Sequence, residues 1–245
     1  MKAFLLAAGH GTRLQPLTDT VPKCLLPVRG VPLLEIWLET CRRFGIAEVL
    51  INIYSNADAV ERFLLQRHPR TPKVEVVREI ELLGSAGTLA MNRAWVESEA
   101  FFWVFYADVL TRADLNAMLQ LHQSRNPAAT LGVYEVSDPA RCGIVELQKD
   151  GTVREFVEKP KHPRSNLAFS GILVGTAALL NAIPHKKPAD IGYDVLPKLA
   201  GRMQAYSISD YLIDIGTMHN YQEAQATWPG LEGEFLQSHA TWNRV

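Results

Sequence analysis

An apolar run at the amino terminus, Lys2-Ala3-Phe4-Leu5-Leu6, leads straight into Ala7-Ala8-Gly9-His10-Gly11-Thr12-Arg13-Leu14. A strand that empties into paired glycines limits what can follow it. Residues without Cβ reach φ > 0, so the backbone can approach an anion closely and present consecutive N–H groups. Arg13 supplies a cation there, and Lys23 supplies another after Pro16-Leu17-Thr18, within Pro22-Lys23-Cys24-Leu25-Leu26-Pro27. The spacing lacks the third glycine of a dinucleotide fingerprint and the lysine that directly follows glycine in a Walker loop. On these residues alone two readings stand: a phosphate-handling loop, or a strand-to-helix turn with two solvated cations.

Beyond the loop, strand-like and helical patterns alternate. Glu48–Ile53, Val74–Val77, Phe101–Tyr106 and Thr130–Val136 read as strands, and segments 32–44, 57–66, 85–96 and 112–123 as helices. Continuous apolar strands between helices predict a doubly wound α/β fold with a largely parallel mixed sheet. After residue 137 the pattern changes. Gly143–Gln148 and Val153–Val157 flank Asp150-Gly151 and predict a β-hairpin. Ala168–Gly175 and Met203–Ile208 read as further strands, and segments 176–182 and 195–199 as short helices, together an annex on the same sheet. With 245 residues, 47% of them hydrophobic, one large domain with such an annex is affordable in core volume. No internal repeat or low-complexity linker is visible, and Trp228–Val245 has no usable periodicity.

A formal net charge of -1 provides no global field for nucleic acid, so anion binding has to come from locally placed arginine and lysine. Three cysteines, Cys24, Cys41 and Cys142, show no zinc or disulfide spacing and suit a reducing compartment. The seven histidines show no metal-binding spacing either. No apolar run approaches the ~18 residues of a membrane span, and the start of the sequence lacks a charged leader, so a soluble cytoplasmic protein is expected.

The run Leu5-Leu6-Ala7-Ala8-Gly9-His10-Gly11-Thr12-Arg13-Leu14, then Pro16-Leu17-Thr18, then Pro22-Lys23-Cys24-Leu25-Leu26-Pro27-Val28, resembles the signature of the sugar-1-phosphate nucleotidylyltransferases. Later segments match too, so the resemblance covers residues 1–226. It implies a Rossmann-like nucleotidyltransferase domain over 1–228, with a nucleotide-binding half (1–136), a sugar-phosphate half (137–228) and a tail over 229–245. The hexapeptide repeats of longer family members are absent from this sequence. The implied reaction is attack by a sugar-1-phosphate oxygen on the α-phosphorus of a nucleoside triphosphate, expelling pyrophosphate. Such chemistry needs backbone donors, Mg²⁺ as cofactor, and cations facing the charge that spreads in the transition state. By resemblance Leu6, Ala7, Ala8, Gly9, Gly11 and Thr12 hold the nucleotide, Arg13 contacts the departing pyrophosphate, and Lys23 lies by the α-phosphate or sugar phosphate. The partners implied are the two substrates, with no nucleic acid or membrane, and self-association is left open.

Four further places carry chemistry. Gly84, Ser85, Ala86 and Gly87 open a helix, and free N–H groups there are expected to face a ligand; the family packs base and ribose on this segment. Glu79 or Glu81 could accept both N1–H and the amino group of guanine, but an exposed glutamate beside a helix start reads equally well. Asp108 lies at the carboxyl end of a buried strand, where α/β sheets place ligands. By resemblance Asp108, after Ala107 instead of the usual glycine or serine, and Asp214, in Leu212-Ile213-Asp214-Ile215-Gly216-Thr217, bind the metal. Leu212 replaces a family tryptophan. Gly143, Glu158, Lys159, Ser170 and Gly171 resemble the sugar-phosphate-binding segments, with Ser170 where asparagine is frequent. The Glu81 to Gly87 run is closer to mannose-1-phosphate guanylyltransferases than to thymidylyltransferases, which favours GTP with a mannose- or heptose-like phosphate. UTP or dTTP with glucose-1-phosphate, a cytidylyltransferase for a small phosphorylated alcohol or phosphonate, and a non-catalytic nucleotide-sugar sensor are the alternatives.

Overall fold

Strand β1 (Lys2–Leu6) carries Ala3, Phe4 and Leu5 fully buried, so both its faces are covered. The computed structural model describes residues 1–68 and 71–231. After β1 come the short pair β2 (Pro27–Val28) and β3 (Val31–Pro32), then α1 (Leu33–Arg43), β4 (Glu48–Ile53), α2 (Ala57–Gln66) and β5 (Lys73–Arg78). Next are α3 (Ser85–Met91), β6 (Phe102–Tyr106), β7 (Val109–Thr111), α4 (Leu115–Arg125), β8 (Ala129–Glu135), β9 (Gly143–Leu147) and β10 (Val153–Glu158). The chain continues through β11 (Leu167–Gly175), α5 (Ala177–Asn181), β12 (Met203–Ser207), β13 (Leu212–Asp214) and α6 (Met218–Thr227). The tail expected over 229–245 lies, from residue 232 onward, outside the described residues.

The chain divides into two units. The loop unit holds Leu5–Ile80, Tyr106–Arg112 and the residues from Tyr211 on. Its strands follow the order β1-β4-β5, and β4 pairs β5 in parallel from Glu48↔Lys73 to Ile53↔Arg78. Parallel neighbours need a crossover, which α2 supplies. Helix α1 buries Leu33, Leu34, Ile36, Trp37, Leu38 and Cys41, and the Trp37 indole donates to the carbonyl of Val109 at 2.8 Å.

The hairpin unit holds Met1–Phe4, Glu81–Phe105 and Ala113–Asp210. Its order is β10-β9-β11-β6-β1, with β8 beside β11 and β12 parallel to β8. The expected hairpin is present, paired from Val153↔Leu147 to Glu158↔Gly143. Three expected boundaries move for local reasons. Helix α4 starts at Leu115 rather than Arg112 because the Asp114 carboxylate caps it, accepting from the Ala117 N–H at 3.0 Å. The helix from Ser85 stops at Met91, and Arg93–Val96 is a tighter 3-10 turn. Residues 195–199 belong to a wide turn over Ile191–Val195 followed by a 3-10 turn over Leu196–Leu199.

His122 on α4 is 2% exposed, with Nδ1 2.9 Å from the Thr130 hydroxyl, and burial pushes its pKa down to about 4. A histidine that folds neutral loses stability as pH falls, because only the unfolded chain takes up the proton. Between pH 6.5 and 4 the parent should therefore lose about 2–3 kcal/mol from this residue that His122→Gln does not lose. Urea unfolding of both proteins across that pH range measures the difference, and identical slopes would remove His122 as the cause.

Candidate active site

In the loop unit the glycine pair is folded by the second motif. Gly11 takes φ 65°, and its carbonyl accepts from the Leu14 N–H at 2.9 Å and the Thr18 hydroxyl at 2.8 Å. A Cβ at Gly11 would lie 2.9 Å from Thr18 Cγ2, so no other residue fits without displacement. Gly9, by contrast, borders open space. The root of the loop is fastened on both sides: the Leu6 carbonyl accepts from Ala107 at 3.0 Å, and the Ala7 N–H donates to Asn52 Oδ1 at 2.8 Å.

Lys23 opens a 3-10 turn after Pro22, and its Nζ meets Asp108 Oδ2 at 2.5 Å. The same segment is anchored at Pro27, whose carbonyl accepts from the Tyr221 hydroxyl at 2.7 Å and the Gln225 amide at 2.5 Å. Helix α6, which the sequence reading left unassigned, provides that anchor.

Asp108 and Asp214 are joined through the main chain. Strand β13 pairs antiparallel with β7, Asp214 opposite Val109, and the Ile215 N–H donates to the Asp108 carbonyl at 2.9 Å. The Asp214 carboxylate accepts from the Gly216 N–H at 2.6 Å, and its carbonyl takes the Asn220 amide at 2.7 Å. Burial, then the charge of Asp108, pushes the Asp214 pKa up, while Lys23, the Gly216 N–H and Arg13 pull it back. Arg13 comes beside them: a Cβ at Gly216 would lie 2.7 Å from Asp214 Oδ1 and 3.0 Å from Arg13 Nη2. Four segments thus bring Arg13, Lys23, Asp108 and Asp214 together. Two carboxylates that repel each other are hard oxygen donors whose repulsion a divalent cation relieves. Among the described residues no group of three or more His, Cys, Asp or Glu side chains could hold a metal ion. Cys24, beside the lysine, is buried and its thiol is pushed up to about 12, so it is packing rather than chemistry.

The hairpin unit gathers a second set. Glu158 stands opposite Gly143 in the hairpin, where a Cβ would lie 2.5 Å from Glu158 Oε2, and a Cβ at Gly192 would collide with the same carboxylate. Burial raises the Glu158 pKa, Lys159 lowers it and Asp190 raises it. Lys159 adopts φ 48°, with Nζ 3.7 Å from Glu158 Oε1 and 5.7 Å from the Tyr193 ring. Asp190 also accepts from the Ser85 hydroxyl at 2.8 Å, which in turn accepts from the Ile191 N–H at 2.8 Å. Ser170 and Gly171 sit in a bulge of β11. Gly171 takes φ 79°, and Ser170 is buried with its hydroxyl accepting from Ile172 at 3.2 Å.

The N–H groups of Ala86 and Gly87, expected to face a ligand, both donate to the Ala189 carbonyl, at 2.9 and 3.1 Å. Gly84, at φ 78°, lets that carbonyl in, since a Cβ there would lie 2.3 Å from it. Of the two glutamates, Glu81 is exposed, whereas Glu79 is buried and accepts from the Asn52 amide at 2.8 Å. Asn52 and Asp190 escaped the sequence reading. Asn52 had a visible signal, a lone amide in the apolar run Val49-Leu50-Ile51-Asn52-Ile53, while Asp190 had none.

Residues 2–229 match the nucleotidyl transferase family, and the chain belongs to it. It is 32% identical over 221 residues to the mannose-1-phosphate guanylyltransferase catalytic subunit beta of Danio rerio, covering 88% of this chain and 61% of that protein. It is also 32% identical over 228 residues to mannose-1-phosphate guanylyltransferase 1 of Arabidopsis thaliana, covering 90% and 63%. The chain therefore spans about three fifths of the length of these relatives. Among solved structures, HddC of Yersinia pseudotuberculosis superposes with a TM-score of 0.79 at 26% identity, over 93% of this chain and 99% of that one. The UDP-glucose pyrophosphorylase of Acinetobacter baumanii reaches 0.80 at 24% identity over 91% of both chains, a likeness of fold alone. The architecture is the mixed α/β nucleotidyltransferase fold around a largely parallel central sheet.

The close approach at Gly216 gives a direct test. Gly216→Ala keeps the N–H that Asp214 uses but drives a methyl between Asp214 and Arg13. Misplacing charged groups by about an ångström can cost roughly a hundredfold in rate, so nucleotidyl transfer should fall by at least tenfold with melting temperature nearly unchanged. A parent-like rate would mean that the proximity of Arg13 and Asp214 is not used.

Proposed function

We propose that this chain is a Mg²⁺-dependent sugar-1-phosphate nucleotidylyltransferase that transfers GMP from GTP to a mannose- or heptose-like 1-phosphate. The observation that carries the reading is the cluster of Arg13, Lys23, Asp108 and Asp214, two cations and two carboxylates beside a loop open at Gly9. Bound between the two aspartates, Mg²⁺ would neutralise the triphosphate before a second anion approaches. Arg13 and Lys23 face the charge that redistributes as pyrophosphate leaves. Lys23 also fixes Asp108 through their ion pair, so the lysine orients a metal ligand as well as meeting phosphate. Glu158, kept clear by two glycines, accepts sugar hydroxyls, and Lys159 beside it takes the phosphate. The guanine assignment draws support from relatives named as mannose-1-phosphate guanylyltransferases and from HddC, also solved in complex with GMP-PN.

Pyrophosphate release across a matrix of nucleoside triphosphates and sugar-1-phosphates tests the proposal. GTP with mannose- or heptose-1-phosphate should give the highest kcat/KM, and EDTA should abolish it. Lys23→Ala and Arg13→Ala should each lower kcat/KM by roughly a hundredfold or more. Glu158→Ala should chiefly raise the KM for sugar phosphate, by about tenfold. Preference for dTTP or UTP would sink the guanine assignment alone, whereas no turnover with any pair would sink the transferase reading.

A further inference from the structure

After its first residue, Glu48, strand β4 is apolar apart from Asn52, whose side chain is 4% exposed. Two bonds run from its amide in opposite directions. Oδ1 accepts the Ala7 N–H at 2.8 Å, at the first peptide after β1, and Nδ2 donates to Glu79 Oε1 at 2.8 Å, just past the end of β5. The orientation of this amide is fixed by its partners: a peptide N–H can only donate and a carboxylate can only accept, so exchanging oxygen and nitrogen would break both bonds. Glu79 is further tied to β4 by its own N–H, which donates to the Ile53 carbonyl at 2.9 Å. Asparagine carries its acceptor and its donor on two separate atoms of one short planar amide, and a hydrophobic residue here would leave the Ala7 N–H without this acceptor.

We propose that Asn52 is a positioning residue for the nucleotide, setting the phosphate loop at Ala7 and the Glu79 carboxylate relative to each other through one amide. The inference rests on the reading that the loop takes the triphosphate and Glu79 the base. Ala7 and Glu79 lie 72 positions apart in the sequence. The β1-β4-β5 pairing sets their strands side by side, and the Asn52 amide adds a side-chain link between the two ends, so a change in the position of the Glu79 carboxylate is passed to the first peptide of the loop.

The test exchanges donor and acceptor. Asn52→Asp retains an acceptor for Ala7 but removes the donor to Glu79 and sets two buried carboxylates against each other. Adding Glu79→Gln restores complementarity, since the glutamine amide then donates to the new carboxylate. Equilibrium binding of GTP and UTP, measured by calorimetry on the parent, both singles and the double variant, reads the coupling independently of turnover. Melting temperature and the KM for sugar phosphate serve as controls. Asn52→Asp should weaken binding of both triphosphates by about tenfold or more while leaving the sugar-phosphate KM within about threefold. The double variant should bind within about threefold of Glu79→Gln alone, without regaining preference for GTP. Triphosphate binding within twofold of the parent in Asn52→Asp, or a double variant no better than that single, overturns the proposal. If Asn52→Asp does not fold, a double variant tenfold weaker than Glu79→Gln overturns it equally. A parent without GTP preference, in which the exchange still restores binding, would remove the guanine reading and leave the positioning role standing.

Discussion

Two carboxylates held near each other, Asp108 just beyond the buried strand β6 and Asp214 at the end of the half-buried β13, resist being charged together, and the loop unit is organised around that resistance. Asp108 raises the pKa of Asp214, and Lys23 and Arg13 oppose the effect. Bonds from four other segments of that unit keep these groups in place. The antiparallel pairing of β7 with β13 sets the two aspartates by main-chain geometry. Thr18 holds the turn that carries Arg13, and Tyr221 and Gln225 hold the segment that carries Lys23. Without such fastening, exposed ion pairs contribute little and wander.

The hairpin unit uses the same device in a milder form. Glu158 is partly desolvated, and its carboxylate occupies space that a side chain at Gly143 or Gly192 would fill. Gly216 plays the corresponding part between Asp214 and Arg13. These three glycines have no need of a left-handed backbone. Their value is the missing methyl, which lets a charged group come against main chain at a distance that fixes its direction.

Legibility from the sequence followed the range of the interactions. Strands such as Glu48–Ile53 and the Asp-Gly hairpin were readable because alternation, apolar runs and turn chemistry act over a few residues. The two cations and two aspartates were readable through the resemblance, and the structure brings them together. Long-range capping was not readable. The amides of Ala86 and Gly87 looked free because the carbonyl that takes them lies about a hundred residues later, at Ala189. Strand Val109–Thr111 had no assignment between strand 101–106 and the helix expected from 112, because its partner, Leu212–Asp214, is equally distant. Asn52 was overlooked for a different reason: within an apolar strand a single amide signals a satisfied pair, and neither partner could be named from sequence.

Pro27 receives both of its side-chain donors from α6, whose residues follow it by nearly two hundred positions. During synthesis the lysine segment therefore leaves the ribosome long before the helix that secures it. Its neighbours in the loop unit can pair early, since β1, β4 and β5 all precede residue 79. The anchor closes only after residue 225 has emerged, so the cluster of charges is completed last, on a scaffold whose first half has already had time to form.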